Sequence, residues 1–166
     1  EMNQAFQHIV DTPLGWFCMT GSESAITEAH WIAEEDAVVG SGGGIVPWKR
    51  MAENQLREYF QGKRASFTLP LAPRGTEFQQ AVWSRLLRIP KGTTKTYLAL
   101  AEELGGAERA RPVGSAIGDN PLLLLIPCHR VIGSDGTLTG YAGGLSSKEW
   151  LLEHEGALQQ PQLRLF

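Results

Sequence analysis

Cysteine is scarce in this chain. Cys18 and Cys128 stand far apart, which makes no disulfide framework. With no basic stretch followed by an apolar one in "EMNQAFQHIVDTPLG", they suit a reducing, cytoplasmic setting. No apolar run approaches the roughly 20 residues that a membrane-spanning helix needs, so no membrane partner is expected. Charge of one sign is lacking too: 15 Lys and Arg face 18 Asp and Glu, a net −3, which by itself argues against a nucleic-acid partner. His8, Cys18 and His30 have no recognisable metal-ligand spacing, and neither a metal nor a cofactor is expected.

What is present is an ordinary globular composition, 42% hydrophobic and 20% charged, enough for one domain or two small lobes. The charge is unevenly spread. Residues 1–72 carry 5 basic and 9 acidic side chains, whereas 74–130 carry 8 and 5. A polyanion would meet the second half, although a solvated surface accounts for so modest an asymmetry equally well.

The first half reads as strands and then a helix. "HIVDTPLGWFCMTG" places a Pro-Leu-Gly turn between apolar runs, a hairpin pattern, and "AITEAHWIA" and "EDAVVG" read as further strands. "AENQLREYF" follows as an amphipathic helix with Leu56, Tyr59 and Phe60 on one face. Cys18 falls in a strand and reads as a buried, inert thiol. The "GSGGG" run at 40–44 has no Lys-Ser/Thr after it and opens no helix, so it reads as a flexible loop rather than a phosphate cradle.

"LPLAPRGTEF" marks a boundary, which divides the chain into 1–72 and 73–166. Thr76 and Gln79 have capping-box spacing before a helix over 77–88, with Phe78, Val82 and Leu86 repeating at i+4. "YLALAEELGG" predicts a second helix, with Leu98, Ala101 and Leu104 inward and Gly105 as its stop. "AERARPVGSAIGDN" predicts a third. The last two form a helix-turn-helix pattern, though an ordinary helical hairpin has the same spacing. Ala110, Gly114, Ser115, Ala116 and Gly118 give the third helix a low-profile surface that could approach a DNA groove.

"IPCHRVI" interrupts an otherwise apolar stretch with Cys128-His129-Arg130. A thiol attacks only as thiolate, and at an ordinary pKa of about 8.5 little of it is ionised at neutral pH. It therefore needs a base. Adjacent side chains of an extended segment point apart, so contact between Cys128 and His129 requires a bend or a bridging water. Glu155, near the end of a helix over 147–155, is one candidate to orient the imidazole. The residues by themselves favour a buried structural cysteine beside a satisfied histidine.

"NPLLLLIPCHRVIGSDGTLTGYAGGLSSKEWLLEHEG" resembles the active-site region of the O6-alkylguanine-DNA alkyltransferases, and the likeness continues upstream through "GTEFQQAVWSRLLRIPKGTTKTYLALAEELG" and "RPVGSAIGDNP". It spans about 80 residues of the second half, while the first half is similar chiefly at "TPLG". The resemblance implies an α/β protein: a small ribonuclease H-like N-terminal lobe and a mainly helical C-terminal lobe with a winged-helix-like helix-turn-helix. It implies a monomer that binds double-stranded DNA through the minor groove and flips out an alkylated base. The alkyl group of O6-alkylguanine, with O4-alkylthymine as a further candidate, would pass irreversibly to Cys128, one group per protein.

Under the same resemblance, His129 deprotonates Cys128 through a water, Glu155 orients His129, Tyr97 protonates the departing guanine, and Asn120 braces the turn before the cysteine. Arg111 takes the place of the extruded base, with Ala110, Gly114 and Ser115 alongside on the DNA. Val131, Tyr141, Ala142 and Gly143 form the base pocket. Pro112 stands where the family usually has Ala, which requires the helix to start within 107–111 because proline is tolerated only in a first turn. Ala142 stands where many members have Ser. Two other readings are a lesion binder without chemistry, against which Cys128 argues, and a Cys-His-Glu hydrolase, for which the sequence offers no oxyanion hole.

Overall fold

The computed structural model describes residues 5–37 and 40–158. The chain divides between Arg74 and Gly75 into two compact units. In the first, β1 (Phe6–Thr12) and β2 (Gly15–Gly21) form an antiparallel hairpin from Phe6 opposite Gly21 to Thr12 opposite Gly15. The turn is held by Thr12, whose hydroxyl donates to the Gly15 carbonyl at 2.6 Å and accepts from Leu14 N–H and the Trp31 indole. β3 (Ile26–Ile32) pairs antiparallel with the other edge of β2. Phe17, Cys18 and Met19 are all buried on this central strand.

The "EDAVVG" segment departs from the strand expected of it. Glu34–Ala37 is a single helical turn, α1; its three consecutive acids suit the positive end of a helix better than a sheet edge, and Val38 and Val39 lie outside the described residues. α2 (Pro47–Phe60) begins five residues before the predicted start because Pro47 occupies its first turn. It packs against β1 and buries Trp48, Ala52, Leu56 and Tyr59.

The glycine run is pinned rather than free. Gly42 exchanges backbone hydrogen bonds with Gln7 at 2.9 and 3.0 Å, and the buried Lys49 ammonium donates to the Gly42 and Gly44 carbonyls. Gly43, at φ +88°, lies so close to β1 that a Cβ would come within 2.5 Å of the Ala5 carbonyl.

In the second unit α3 (Glu77–Leu86) opens with the expected capping box. Thr76 Oγ1 accepts from Gln79 N–H at 3.1 Å, and the Gln79 side chain accepts from Thr76 N–H at 2.9 Å. β4 (Lys95–Thr96) leads directly into α4 (Tyr97–Glu103), capped by the Thr96 hydroxyl. A 3-10 turn at Ala107–Arg109 precedes α5 (Ala110–Gly118). Pro112 thus sits in the first turn, where a missing N–H costs little.

The inward face of α4 differs from expectation: Leu100 and Ala101 are buried, Leu104 is half-buried, and Leu98 is 39% exposed. A helix of two turns with leucine at 98, 100 and 104 has no phase that periodicity alone can fix. α5 packs against both α3 and α4, and the Trp83 indole N–H donates to the Ala116 carbonyl at 2.9 Å. β5 (Val131–Ile132) pairs in parallel with β4, and α6 (Leu145–His154) closes the unit. Among the described residues no helix is long and apolar enough to cross a membrane.

Candidate active site

The segment from Asn120 to Cys128 folds into tight turns that Asn120 staples from within. Its side-chain carbonyl accepts from Leu122 N–H at 2.9 Å, and its amide donates to the Ile126 carbonyl at 3.0 Å. Leu124 has φ +70° at the centre of a γ-turn closed by Leu125 N–H on the Leu123 carbonyl at 2.7 Å, a rare and strained conformation for a leucine. An inverse γ-turn follows at Pro127 (φ −79°, ψ 64°), with Cys128 N–H on the Ile126 carbonyl at 2.8 Å. The chain then enters a 3-10 turn over Cys128–Arg130, the bend that the adjacent thiol and imidazole require.

All three side chains of that turn are buried. Burial pushes the Cys128 thiol pKa up, against the opposing pull of the Asn120 amide and the Lys148 ammonium, so the resting thiol keeps its proton. His129 is completely buried, and its Nε2 lies 2.8 Å from Glu155 Oε2. Arg130 grips the same carboxylate twice, Nε to Oε1 at 2.8 Å and Nη2 to Oε2 at 2.9 Å, and its Nη1 donates to the Ile89 carbonyl at 2.6 Å.

Burial would by itself raise the Glu155 pKa, but the hydrogen bonds from His129 and Arg130 outweigh it and hold the carboxyl well below its usual range. Burial pushes His129 the other way, below its ordinary value, against the support of Glu155. The pair is therefore a carboxylate and a neutral imidazole near pH 7. Because a carboxylate only accepts, Nε2 carries the imidazole proton and donates it to Glu155, which leaves the basic lone pair on Nδ1. Nδ1 is buried and has no hydrogen-bond partner on the protein among the described residues.

Cys128 opens onto a cavity of about 310 Å³ lined also by Tyr97, Gly114, Ile117, Leu123, Tyr141 and Ala142. Of the remaining residues named from the sequence, Gly143 adjoins the cavity wall in the chain, and Val131 is buried in β5 and does not line it. Ala110, Arg111 and Ser115 lie on α5, where Arg111 and Ser115 are exposed. Arg111 has no hydrogen bond or ion pair among the described residues. Asn120, Cys128, His129 and Glu155 are thus brought together behind the cavity.

Sequence reasoning missed three contributors. Arg130 was noted in the motif without a role. Lys148, fully buried, donates from Nζ to the Thr139 carbonyl at 3.0 Å, and burial lowers its pKa to about 8. Thr139 in turn donates from its hydroxyl to the Tyr97 oxygen at 3.0 Å. One signal was available: Lys148, Leu151, Leu152 and Glu155 are spaced i, i+3, i+4, i+7, which puts both charged residues on the buried stripe of α6.

Residues 77–157 match the model of the 6-O-methylguanine DNA methyltransferase DNA binding domain, and residues 5–73 match that of its ribonuclease-like domain. The chain belongs to the 6-O-methylguanine DNA methyltransferase family. Among its relatives in that family, a methylated-DNA–protein-cysteine methyltransferase of Methanosarcina barkeri is 43% identical over 152 residues, covering 90% of this chain and 96% of that protein. The protein of the same name from Mycobacterium bovis is 38% identical over 169 residues, covering 95% and 96%. A crystal structure of Mycobacterium tuberculosis OGT in complex with DNA matches with a TM-score of 0.81 at 38% identity, over 96% of this chain and 98% of that one. The mixed α/β architecture is accordingly that of this methyltransferase family.

Proposed function

We propose that this methyltransferase repairs O6-alkylguanine in double-stranded DNA by direct reversal, moving the alkyl group onto Cys128 once and irreversibly. The observation that carries this reading is a buried thiol opening onto a cavity, followed in the same turn by an imidazole whose Nδ1 has no protein partner among the described residues. His129 Nδ1 takes the Cys128 proton through a water. Sγ then attacks the alkyl carbon in line, the S–C bond forms as the C–O6 bond breaks, and Tyr97 supplies a proton to the departing guanine. The resulting thioether has no hydrolysable bond, so each molecule acts once. Glu155 keeps the imidazole in the productive tautomer and stabilises it once charged.

The DNA complex of the Mycobacterium tuberculosis relative supports DNA as the partner here. In this reading a monomer applies α5 to the minor groove, where Ala110, Gly114 and Ser115 permit close approach. The exposed Arg111 fills the gap left by the flipped base. Tyr141, Ala142 and Gly143 border the base, with the Val131 backbone behind. Two free cysteines suit the reducing cytoplasm as the place of action.

Incubation with an oligonucleotide carrying O6-methylguanine tests this directly. One methyl per protein should appear on the tryptic peptide containing Cys128. Repeated turnover, or methyl on Cys18, would overturn the assignment.

A further inference from the structure

The cavity wall holds a hydrogen bond that sets the direction of a proton. A phenol has one hydrogen and can also accept hydrogen bonds through its oxygen. Thr139 donates from Oγ1 to the Tyr97 oxygen at 3.0 Å, so the Tyr97 hydrogen is not used in this bond and stays available to whatever occupies the cavity that Tyr97 lines. Had Thr139 accepted instead, the phenol would have spent its only hydrogen on the protein. Accepting a hydrogen bond also polarises the phenol and makes it a better donor.

The threonine is itself held from behind. Its carbonyl accepts from Lys148 Nζ at 3.0 Å, and Lys148 is fully buried on α6, the same helix whose C-terminus presents Glu155 to His129. α6 therefore fixes the group that orients the base, and through Lys148 it also fixes the group that orients the acid.

We propose that Thr139 is a positioning residue for leaving-group protonation: its hydroxyl aims the Tyr97 hydrogen at the departing guanine. This rests on the alkyl-transfer reading above, in which Tyr97 is the proton donor. The S–C and C–O bond changes are those already given; Thr139 transfers no proton and only fixes which way the phenol donates. Its effect is confined to substrates whose leaving group needs a proton.

The test compares two methyl donors in single-turnover reactions of the full chain: an O6-methylguanine oligonucleotide, whose guanine must be protonated, and iodomethane, whose iodide leaves without a proton. Thr139→Val should slow transfer from the oligonucleotide roughly tenfold, a fraction of what a positioned acid contributes, and leave methylation of Cys128 by iodomethane unchanged. Thr139→Ser, which keeps the hydroxyl, should stay close to the wild-type rate with both donors. In a Tyr97→Phe background Thr139→Val should cause no further loss. A wild-type rate for Thr139→Val on the oligonucleotide would overturn the proposal. So would equal losses with both donors, or failure of serine to restore the rate. If the wild type itself transfers nothing from O6-methylguanine but reacts with iodomethane, the alkyl-transfer reading falls and takes this inference with it.

Discussion

Arg130 and Glu155 form a two-pronged ion pair inside the fold, Nε to Oε1 at 2.8 Å and Nη2 to Oε2 at 2.9 Å, and Oε2 is also the oxygen on which His129 rests. One carboxylate thus holds both the guanidinium and the imidazole, so it anchors the fold and, in the proposed reading, the base as well. The two services separate under mutation.

Glu155→Gln removes the negative charge that stabilises a protonated His129. Transfer from O6-methylguanine at pH 7 should fall by roughly 10- to 100-fold, the lower part of the range for a general base. Part of it should return as pH rises well beyond the ordinary thiol pKa of about 8.5, since burial pushes Cys128 higher still and only there does it ionise without help. Single-turnover rates across pH, taken below the melting temperature of the variant, give the answer; superimposable profiles would place Glu155 outside the mechanism.

Arg130→Met leaves the Glu155 carboxylate and the Ile89 carbonyl without their guanidinium donors in the interior. Breaking one side of a buried pair costs about 3–5 kcal/mol, and urea unfolding should show a loss of that order. Arg130→Lys should recover only part of it, because an ammonium cannot match the forked geometry.

Arg111→Ala should slow repair of duplex DNA, by about tenfold or more, while reaction with free O6-benzylguanine stays within about twofold of wild type. In the proposed reading the side chain of Arg111 compensates for an extruded base, a cost that the free base never incurs. Parallel rate measurements on the two substrates decide it, and equal losses would remove the insertion role.

Acid should destabilise the fold in two stages of the same sign. His129 has its folded pKa below the ordinary 6.5, so from about pH 6.5 downward the unfolded chain takes up a proton that the folded one refuses. Glu155 has its folded pKa below the ordinary 4.5, so its contribution, fully present above that value, fades as pH drops further. In both windows the unfolded state binds more protons, and stability falls with pH. Melting temperature followed from pH 7 to pH 3 should decline throughout, and His129→Gln should flatten the upper part of the curve.

Local signals carried much of this architecture. The capping box at Thr76 and Gln79 and the Pro-Leu-Gly hairpin turn depend on residues within a few positions of one another, and both stand where the sequence put them. The phase of α4 was illegible because only packing on α5 and the rest of the unit decides which of its leucines turns inward. At the site, the motif Cys128-His129 and the distant Glu155 were legible through family resemblance, whereas the Lys148–Thr139–Tyr97 chain was not. It joins a helix, a loop and a second helix through one backbone carbonyl, and no spacing of residue types encodes such a link. Arg130 stood in plain view, but its partner carboxylate lies 25 positions away, and only the fold brings the two together.

The thiol, the imidazole and the guanidinium clamp are consecutive residues of one 3-10 turn, and such a turn steps successive side chains about a third of a revolution apart. Their separate headings are therefore indexed by counting along the backbone rather than by docking of distant segments. Removing one residue between Pro127 and Val131 would rotate the index by a single step, presenting imidazole where the thiol belongs or guanidinium where the imidazole belongs. The number of residues in this turn is held as tightly as their identities.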